Sequence, residues 1–384
     1  MKKGSLSLYK SIYNDLEKKI LSGQYKVGDR IPSEKELSEE YKVSRITSKK
    51  ALEMLAEKGL IDRAPGRGSF VKSNSTDETD NECLKDPKNE EDKVARPPMI
   101  GVILPDFAES YGTSLLSGIE KEASEKNCFI VLKRSYGRQD IEENVIDSLL
   151  ELGVDGIIIM PVHGELYNRE ILRLTLDGFP IVSVDRCLSG IPVPFVGTDN
   201  ISASAKITDY VLKLGHKNIA ILSPPYKNTS TIEDRIEGFI KSHAEHGVGI
   251  DDSLWLTDLI STLPEKDAKE NRQRDIDKIV KLLKENPQIT CMYAMEYNIA
   301  LLAMKAAKSL GKAIPKDLSI VCFDSPFNYA DEYLFTFIQQ KESEMGETAL
   351  RLLLNLMKKK GDVEKVYLDA DLVIGTTTGK ARSV

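Results

Sequence analysis

The chain has 384 residues, 41% of them hydrophobic, 29% charged and 7% aromatic, which excludes disordered and fibrous classes and predicts two or three globular domains. The net charge of −7 excludes a chain that is basic throughout, but the charge is uneven: residues 1–72 carry 16 Lys+Arg against 10 Asp+Glu, and residues 73–98 carry 4 against 8. Only the first segment has the sign that a phosphate backbone attracts.

In chain order, Leu8, Ile12, Leu16 and Ile20 recur at four-residue steps with charges between them, which predicts an amphipathic helix over 5–22, closed by Gly23. Ser33 with Glu36 forms a capping box that starts a second helix, and a third runs from Ser44 through Ala51, Leu52 and Leu55 to Gly59. Residues 60–72 alternate and turn through Pro65-Gly66-Arg67-Gly68, as a hairpin does. Residues 73–98 hold almost nothing to bury and are expected to be a flexible, charged linker.

From residue 99 the rhythm becomes β-α-β. Apolar runs at Ile100–Leu104, Phe129–Lys133, Gly156–Met160, Pro180–Val184, Asn218–Leu222, Thr290–Tyr293 and Leu318–Phe323 alternate with helices that have one apolar face, such as Leu115/Leu116/Ile119/Ala123 and Ile141/Val145/Leu149/Leu152. Runs without polar alternation predict strands covered on both faces, hence two parallel sheets with helices on either side. No apolar stretch approaches the ~20 residues of a membrane span, and the N-terminus has no hydrophobic signal core, so a cytoplasmic location is expected. Cys83, Cys128, Cys187, Cys291 and Cys322 form no C-x-x-C pair and are expected to be reduced, mostly buried thiols. His243 and His246 lack a third ligand nearby; they are expected at the surface, and no metal or other cofactor is expected.

The basic segment has the layout of a winged helix-turn-helix. In that motif the second helix enters the major groove N-terminus first, which makes Ser44, Arg45, Ile46, Thr47, Ser48 and Lys49 the candidate DNA-facing residues. Arg45 is the candidate for a bidentate guanine contact, and Ile46 for a thymine methyl. Ser33, Glu34 and Lys35 sit where free helix N–H groups can hold a phosphate, and Gly66-Arg67-Gly68 projects one guanidinium suited to a narrow minor groove. The segment resembles the winged helix-turn-helix of the GntR family, on Ile31-Pro32-Ser33-Glu34, Val43-Ser44-Arg45, Gly59-Leu60-Ile61 and Gly66-Arg67-Gly68-Ser69-Phe70-Val71. That resemblance implies operator contacts from Ser33, Lys35, Ser44, Arg45, Thr47, Lys49 and Gly66. Lys49 departs from the family's arginine, keeping the charge but not the planar fork.

Ligands of open α/β sheets bind beyond the carboxyl ends of the strands. The residues there include Asp106, Phe107, Ser135, Tyr136, His163, Asp185, Arg186, Glu296, Tyr297 and Asp324. Taken singly, such an Asp is usually a helix cap; the recurrence of carboxylates, arginines and aromatics suits a polyhydroxylated ligand instead. Residues 99–384 resemble the effector-binding core of the LacI family, on Gly153-Val154-Asp155-Gly156-Ile157-Ile158, Val196-Gly197-Thr198-Asp199-Asn200, Leu214-Gly215-His216-Lys217-Asn218-Ile219-Ala220, Arg235-Ile236-Glu237-Gly238-Phe239 and Ile314-Pro315-Lys316-Asp317-Leu318. The resemblance implies a two-subdomain, periplasmic-binding-protein-like α/β core with effector contacts from Asp185, Arg235, Asp324 and Thr231. Glu296-Tyr297 stand where the family has Asn-Asp, so the effector contact there differs.

The pairing of these two units is that of the arabinose-operon repressor group. The expectation is a homodimeric, sugar-responsive regulator released from double-stranded operator DNA by a monosaccharide, with arabinose a candidate. Alternatives are a transporter's solute-binding protein, against which the basic N-terminal segment speaks, and a ligand-independent DNA-binding protein. No catalytic constellation or cofactor lysine with a Gly-rich phosphate loop is visible, so no enzyme activity is expected.

Overall fold

The computed structural model describes residues 8–64, 68–72, 96–164, 168–226, 229–326, 328, 330, 332–358 and 363–382. The chain divides into two compact units, Met1–Lys93 and Val94–Val384.

In the first unit α1 (Leu8–Leu21) is followed by β1 (Arg30–Ile31), α2 (Glu34–Glu40), α3 (Arg45–Glu57), β2 (Ile61–Ala64) and β3 (Gly68–Val71). The four-residue steps of α1 do what their period dictates: Ile12, Leu16 and Ile20 are buried against Leu37, Leu52, Leu55, Leu60, Ile61 and Val71. Gly23, at φ +77°, supplies the left-handed residue after that helix. The hairpin β2–β3 pairs antiparallel as expected, Ile61 opposite Val71. The two-residue strand β1, too short to show alternation, adds Arg30 opposite Phe70 on the other side of β3 and gives the order β1-β3-β2.

The second unit contains β4 (Met99–Leu104), α4 (Thr113–Glu125), β5 (Phe129–Arg134), α5 (Gln139–Leu152), β6 (Gly156–Ile159), α6 (Arg169–Leu176), β7 (Ile181–Val184), β8 (Phe195–Thr198), α7 (Asn200–Lys213), β9 (Ile219–Leu222), α8 (Ser230–Glu245), α9 (Lys269–Glu285), β10 (Cys291–Ala294), α10 (Tyr297–Ser309), β11 (Ser319–Phe323), β12 (Thr336–Gln339), α11 (Glu342–Met357), β13 (Lys365–Leu368) and β14 (Asp371–Val373). They form two sheets, β13-β8-β7-β6-β4-β5 and β14-β12-β11-β10-β9. Every pairing is parallel except β12–β14.

The expected strands are present. Strands β8, β12, β13 and β14 were not foreseen: each is short, and the two near the C-terminus carry polar residues because they lie at sheet edges. Edge position also overturns the expectation that every strand is covered on both faces, since Phe129 and Leu132 of β5 are exposed. The chain passes between the two sheets three times, at Thr198–Asn200, at Gln339–Glu342 and at Leu368–Asp371. Each sheet with its helices is therefore a subdomain, hinged at three crossovers.

Two further expectations need correction. The linker does not reach residue 98: Arg96 grips the core, donating to Asp155 Oδ2 at 2.9 Å and to the Gly153 carbonyl at 2.9 Å. His243 is not at the surface; it is buried on α8, its Nδ1 2.9 Å from the Phe239 carbonyl oxygen and its ring 4.1 Å from that of Phe239. The buried face of α8 is wide enough to include it. Cys128 and Cys187 are half-buried and Cys291 and Cys322 buried, all as free thiols; Cys83 lies outside the described residues. No described helix is long and apolar enough to cross a membrane.

Candidate functional site

In the first unit the local chemistry of two helix starts arranges the candidate DNA-facing residues. Ser33 and Glu36 complete the capping box: Glu36 N–H donates to Ser33 Oγ at 3.3 Å and Ser33 N–H to Glu36 Oε2 at 2.7 Å. The backbone N–H of Ser33, and then its hydroxyl, hold the Glu36 carboxyl below its usual range. Ser44 caps α3 in the same way, accepting from Thr47 N–H at 3.2 Å. Lys35 and Lys49 are exposed and Thr47 half-buried.

Two residues of the expected set do other things. Ser48 is fully buried and donates to the Glu34 carbonyl at 2.8 Å, so it fastens α3 to α2 instead of facing outward. The Glu34 carboxylate is paired with Arg63 of β2, and a negative side chain there opposes a phosphate. Arg63 in turn lies 3.6 Å from Glu53, which is 3.8 Å from Lys49. Arg45 and Ile46 form the first turn of α3; their side chains, and Gly66 and Arg67, lie outside the described residues. Gly68 is at φ +113°, and a Cβ there would come within 3.0 Å of Arg30 Nε, so the backbone requires glycine.

In the second unit a cavity of about 230 Å3 opens between the subdomains. From the first subdomain it is lined by Asp106, Phe107, Asp185 and Arg186, and from the second by Thr231, Arg235, Glu296, Tyr297 and Asp324. Asp185 follows β7 and Asp324 follows β11, and both adopt positive φ, +62° and +64°. A non-glycine residue pays about 1–2 kcal/mol for that conformation, and here it turns a carboxylate from each sheet into the same cleft.

Asp185 accepts the Tyr111 hydroxyl at 2.5 Å. Asp324 accepts from Gln340 Nε2 at 2.9 and 3.1 Å, and Gln340 Oε1 accepts the Thr198 hydroxyl at 2.6 Å. The cleft carboxylate is thereby tied to two of the three crossovers. Arg235, buried on α8, donates Nε to Asn200 Oδ1 at 2.8 Å and Nη1 to the Met295 carbonyl at 2.7 Å, with its guanidinium on the Phe323 ring.

Burial dominates the electrostatics. It pushes the Asp324 carboxyl up to about 8, with Arg235 pulling it down and Glu342 and Asp185 adding to the rise. Glu342, accepting Gly112 N–H at 2.6 Å, is pushed up to about 7 by burial. The Glu296 carboxyl is also raised by burial, against the pull of Thr262, Arg235 and Arg186. Carboxylates that accept hydroxyls, guanidinium donors, and the rings of Phe107 and Tyr297 suit a small polyhydroxylated molecule.

Three expected cleft residues lie outside the cavity. Ser135 is buried beneath the strand end. Tyr136 turns away at φ +53° to lie against the Arg134 guanidinium, 4.6 Å from its ring centroid. His163 is half-buried beside Arg186, its pKa lowered by burial and by that cation. Looking just past each strand therefore reached too far here. It also missed Ser110, Tyr111, Thr262, Pro264, Asn298 and Gln340, which line the same cavity. Asn298 lies in the first turn of α10, and the others come from longer loops and a crossover, where the sequence carries no periodic signal.

A family model of periplasmic binding proteins and the sugar-binding domain of the LacI family matches residues 97–372. The chain belongs to the LacI family. A second model, of bacterial regulatory proteins of the gntR family, matches residues 8–71, so a GntR-type helix-turn-helix precedes the LacI-type core. Proteins described as "Arabinose metabolism transcriptional repressor" are similar over nearly the whole chain. The one from Halalkalibacterium halodurans is 28% identical, covering 98% of this chain and 97% of its own. The one from Geobacillus stearothermophilus is 26% identical, covering 95% of each. The crystal structure of a LacI-family transcriptional regulator from Enterococcus faecium with bound ribose superposes with a TM-score of 0.61 at 26% identity, over 74% of this chain and 100% of that one. The chain is thus a transcription regulator with a two-subdomain sensor core, and not an enzyme.

Proposed function

We propose that this chain is a sugar-released repressor of carbohydrate-utilisation genes, with residues 1–72 as DNA reader and residues 96–384 as sensor. The observation that carries this reading is the cleft itself, where Arg235 and Asp324 of one subdomain face Asp185 and Arg186 of the other across the crossovers. A ligand bonded to both subdomains favours one hinge angle over another. Sugar and operator are then coupled reciprocally, typically by about 1–3 kcal/mol.

In this reading Arg235, Asp324, Asp185, Arg186, Thr231, Glu296 and Asp106 hold hydroxyl groups, while Phe107 and Tyr297 cover the apolar ring face. Ser33, Lys35, Ser44, Thr47 and Lys49 contact the phosphates, Arg45 and Ile46 read bases, and Gly66-Arg67-Gly68 enters the minor groove. Two copies bind a two-fold operator in the cytoplasm. Arabinose is the favoured sugar, because two relatives similar over nearly the full chain carry that word in their description.

A gel shift with the chain's own upstream DNA, with and without L-arabinose, D-xylose, D-ribose and D-glucose, tests this. The expected result is a shifted band that L-arabinose abolishes. A band that no sugar alters overturns the sensor reading, and no band at all overturns the DNA reading.

A further inference from the structure

On α5 (Gln139–Leu152), away from the cavity lining, a carboxylate is buried. Glu142 is 1% exposed. Its Oε2 accepts Val162 N–H at 2.8 Å and its Oε1 accepts Asn168 Nδ2–H at 2.6 Å. Asn168 is itself engaged, its Oδ1 capping α6 through Glu170 N–H at 2.9 Å and Ile171 N–H at 3.3 Å.

The Val162 N–H belongs to the same peptide unit as the Pro161 carbonyl. A trans peptide points these two groups in opposite directions. The Pro161 carbonyl accepts Arg186 Nη1 at 3.2 Å, and the Val162 carbonyl accepts the same nitrogen at 2.9 Å. One planar unit therefore has the Glu142 carboxylate on its N–H side and the Arg186 guanidinium on its C=O side. The negative charge polarises the peptide and strengthens the carbonyl as an acceptor for the positive one.

Arg186 lines the cleft, its Nε is buried with no hydrogen-bond partner among the described residues, and that nitrogen lies 3.9 Å from Asp185 Oδ2. A donor so placed is available to an acceptor from a bound molecule.

Resting on the proposed sugar reading, we infer that Glu142 is a positioning residue for the effector. Through the Pro161–Val162 peptide it fixes Arg186 so that the guanidinium meets a ligand hydroxyl. The Arg186 cation, from the segment after β7, lowers the Glu142 carboxyl, and Glu143, next to it on α5, raises it. Each carboxylate oxygen accepts one N–H donor, so protonation on either oxygen weakens the bond it accepts. Burial, opposed by Asn168, Val162 and Arg186, places that event at about 7. Arg186 is thus held more firmly above neutrality than below it.

The test uses the full-length protein in two measurements. The first follows the Arg186 Nε–H resonance of 15N-labelled protein without ligand between pH 6 and 8.5. The expected result is a titration in the wild type that vanishes in Glu142→Gln. A resonance indifferent to both pH and substitution overturns the inference, whether or not any sugar binds. The second measures L-arabinose affinity by calorimetry. Glu142→Gln is expected to weaken binding about tenfold, the effect of mispairing one charged hydrogen bond. Adding Asn168→Asp moves the charge to the other partner, keeps the α6 cap, and is expected to restore affinity to within about threefold. Wild-type affinity in Glu142→Gln, or no rescue by the pair, overturns the positioning role. If the resonance titrates as expected while the wild type binds none of the sugars, the sugar reading fails and the Glu142–Arg186 link stands.

Discussion

The Arg235 guanidinium lies over the Phe323 ring, 3.7 Å from its centroid, with two of its nitrogens already bonded to Asn200 and to the Met295 carbonyl. Ring, amide and carbonyl leave the fork one orientation, and it faces a cleft that also holds Asp324. Lysine keeps the charge but cannot stack or fork. In Arg235→Lys the sugar affinity is expected to fall tenfold or more, on the order of 1.5–3 kcal/mol, with the circular-dichroism spectrum and sugar-free operator binding unchanged. Calorimetry reads the affinity, and an unaltered Kd refutes the contact.

Asp324 connects ligand binding to protons. Its carboxyl stands at about 8, so it is largely protonated at pH 7. A sugar hydroxyl donating to it favours the carboxylate and lowers that value. Binding between pH 7 and 8 is therefore expected to release protons, seen as a dependence of the calorimetric enthalpy on the buffer's ionisation enthalpy. Asp324→Asn removes the dependence. Proton uptake by the wild type contradicts the proposed contact.

The same raised value fixes a sign for stability. The ordinary value is 3.8 and the folded one about 8. The folded state therefore binds more protons between those limits, and the contribution of Asp324 to stability is present below about 4 and lost as pH rises through 8. Glu342, moved from 4.5 to about 7, acts in the same direction. Urea melts at pH 6 and 8.5 are expected to show a smaller loss in Asp324→Asn than in the wild type.

In the DNA reader, fastening and contacting residues separate. Ser48→Ala removes a buried bond to the Glu34 carbonyl and is expected to cost about 1 kcal/mol of stability in the N-terminal unit, with little change in operator affinity. Lys35→Ala and Lys49→Ala are each expected to leave stability alone and to reduce the salt dependence of binding by about one charge. Binding measured at several salt concentrations, beside thermal melts, distinguishes the two patterns.

Helices α4 and α11 approach backbone to backbone. A Cβ on Gly118 would lie 2.1 Å from the Ser343 carbonyl oxygen, and one on Gly346 would lie 2.3 Å from that of Leu115. Neither carbonyl can swing aside without breaking its helix. Gly118→Ala is expected to destabilise the sensor by about 1–3 kcal/mol, read as a lowered urea midpoint.

How much of this was legible in advance follows from the range of each interaction. The α1 stripe, the Ser33–Glu36 box and the β-α-β rhythm are local, repeated signals, and the structure contains all of them. Asp185, Arg235 and Asp324 were reachable because strand ends converge in an open sheet and because Arg235-Ile236-Glu237-Gly238-Phe239 resembles a family pattern. Tyr111 and Gln340 had no such marker. Ser48 looked like its neighbours on α3, although its own position on the helix turns it inward.

By itself the sequence determined the elements, their order and the division into a basic reader and an acidic sensor, since helix periods, caps and apolar runs act over a few residues. Only the tertiary structure decided which distant residues share a dielectric. Three crossovers bring Asp185 and Asp324 to one cavity, where burial raises Asp324. A single peptide places Glu142 and Arg186 on its two sides. Those relationships arise from chain closure over long separations, which no local pattern encodes.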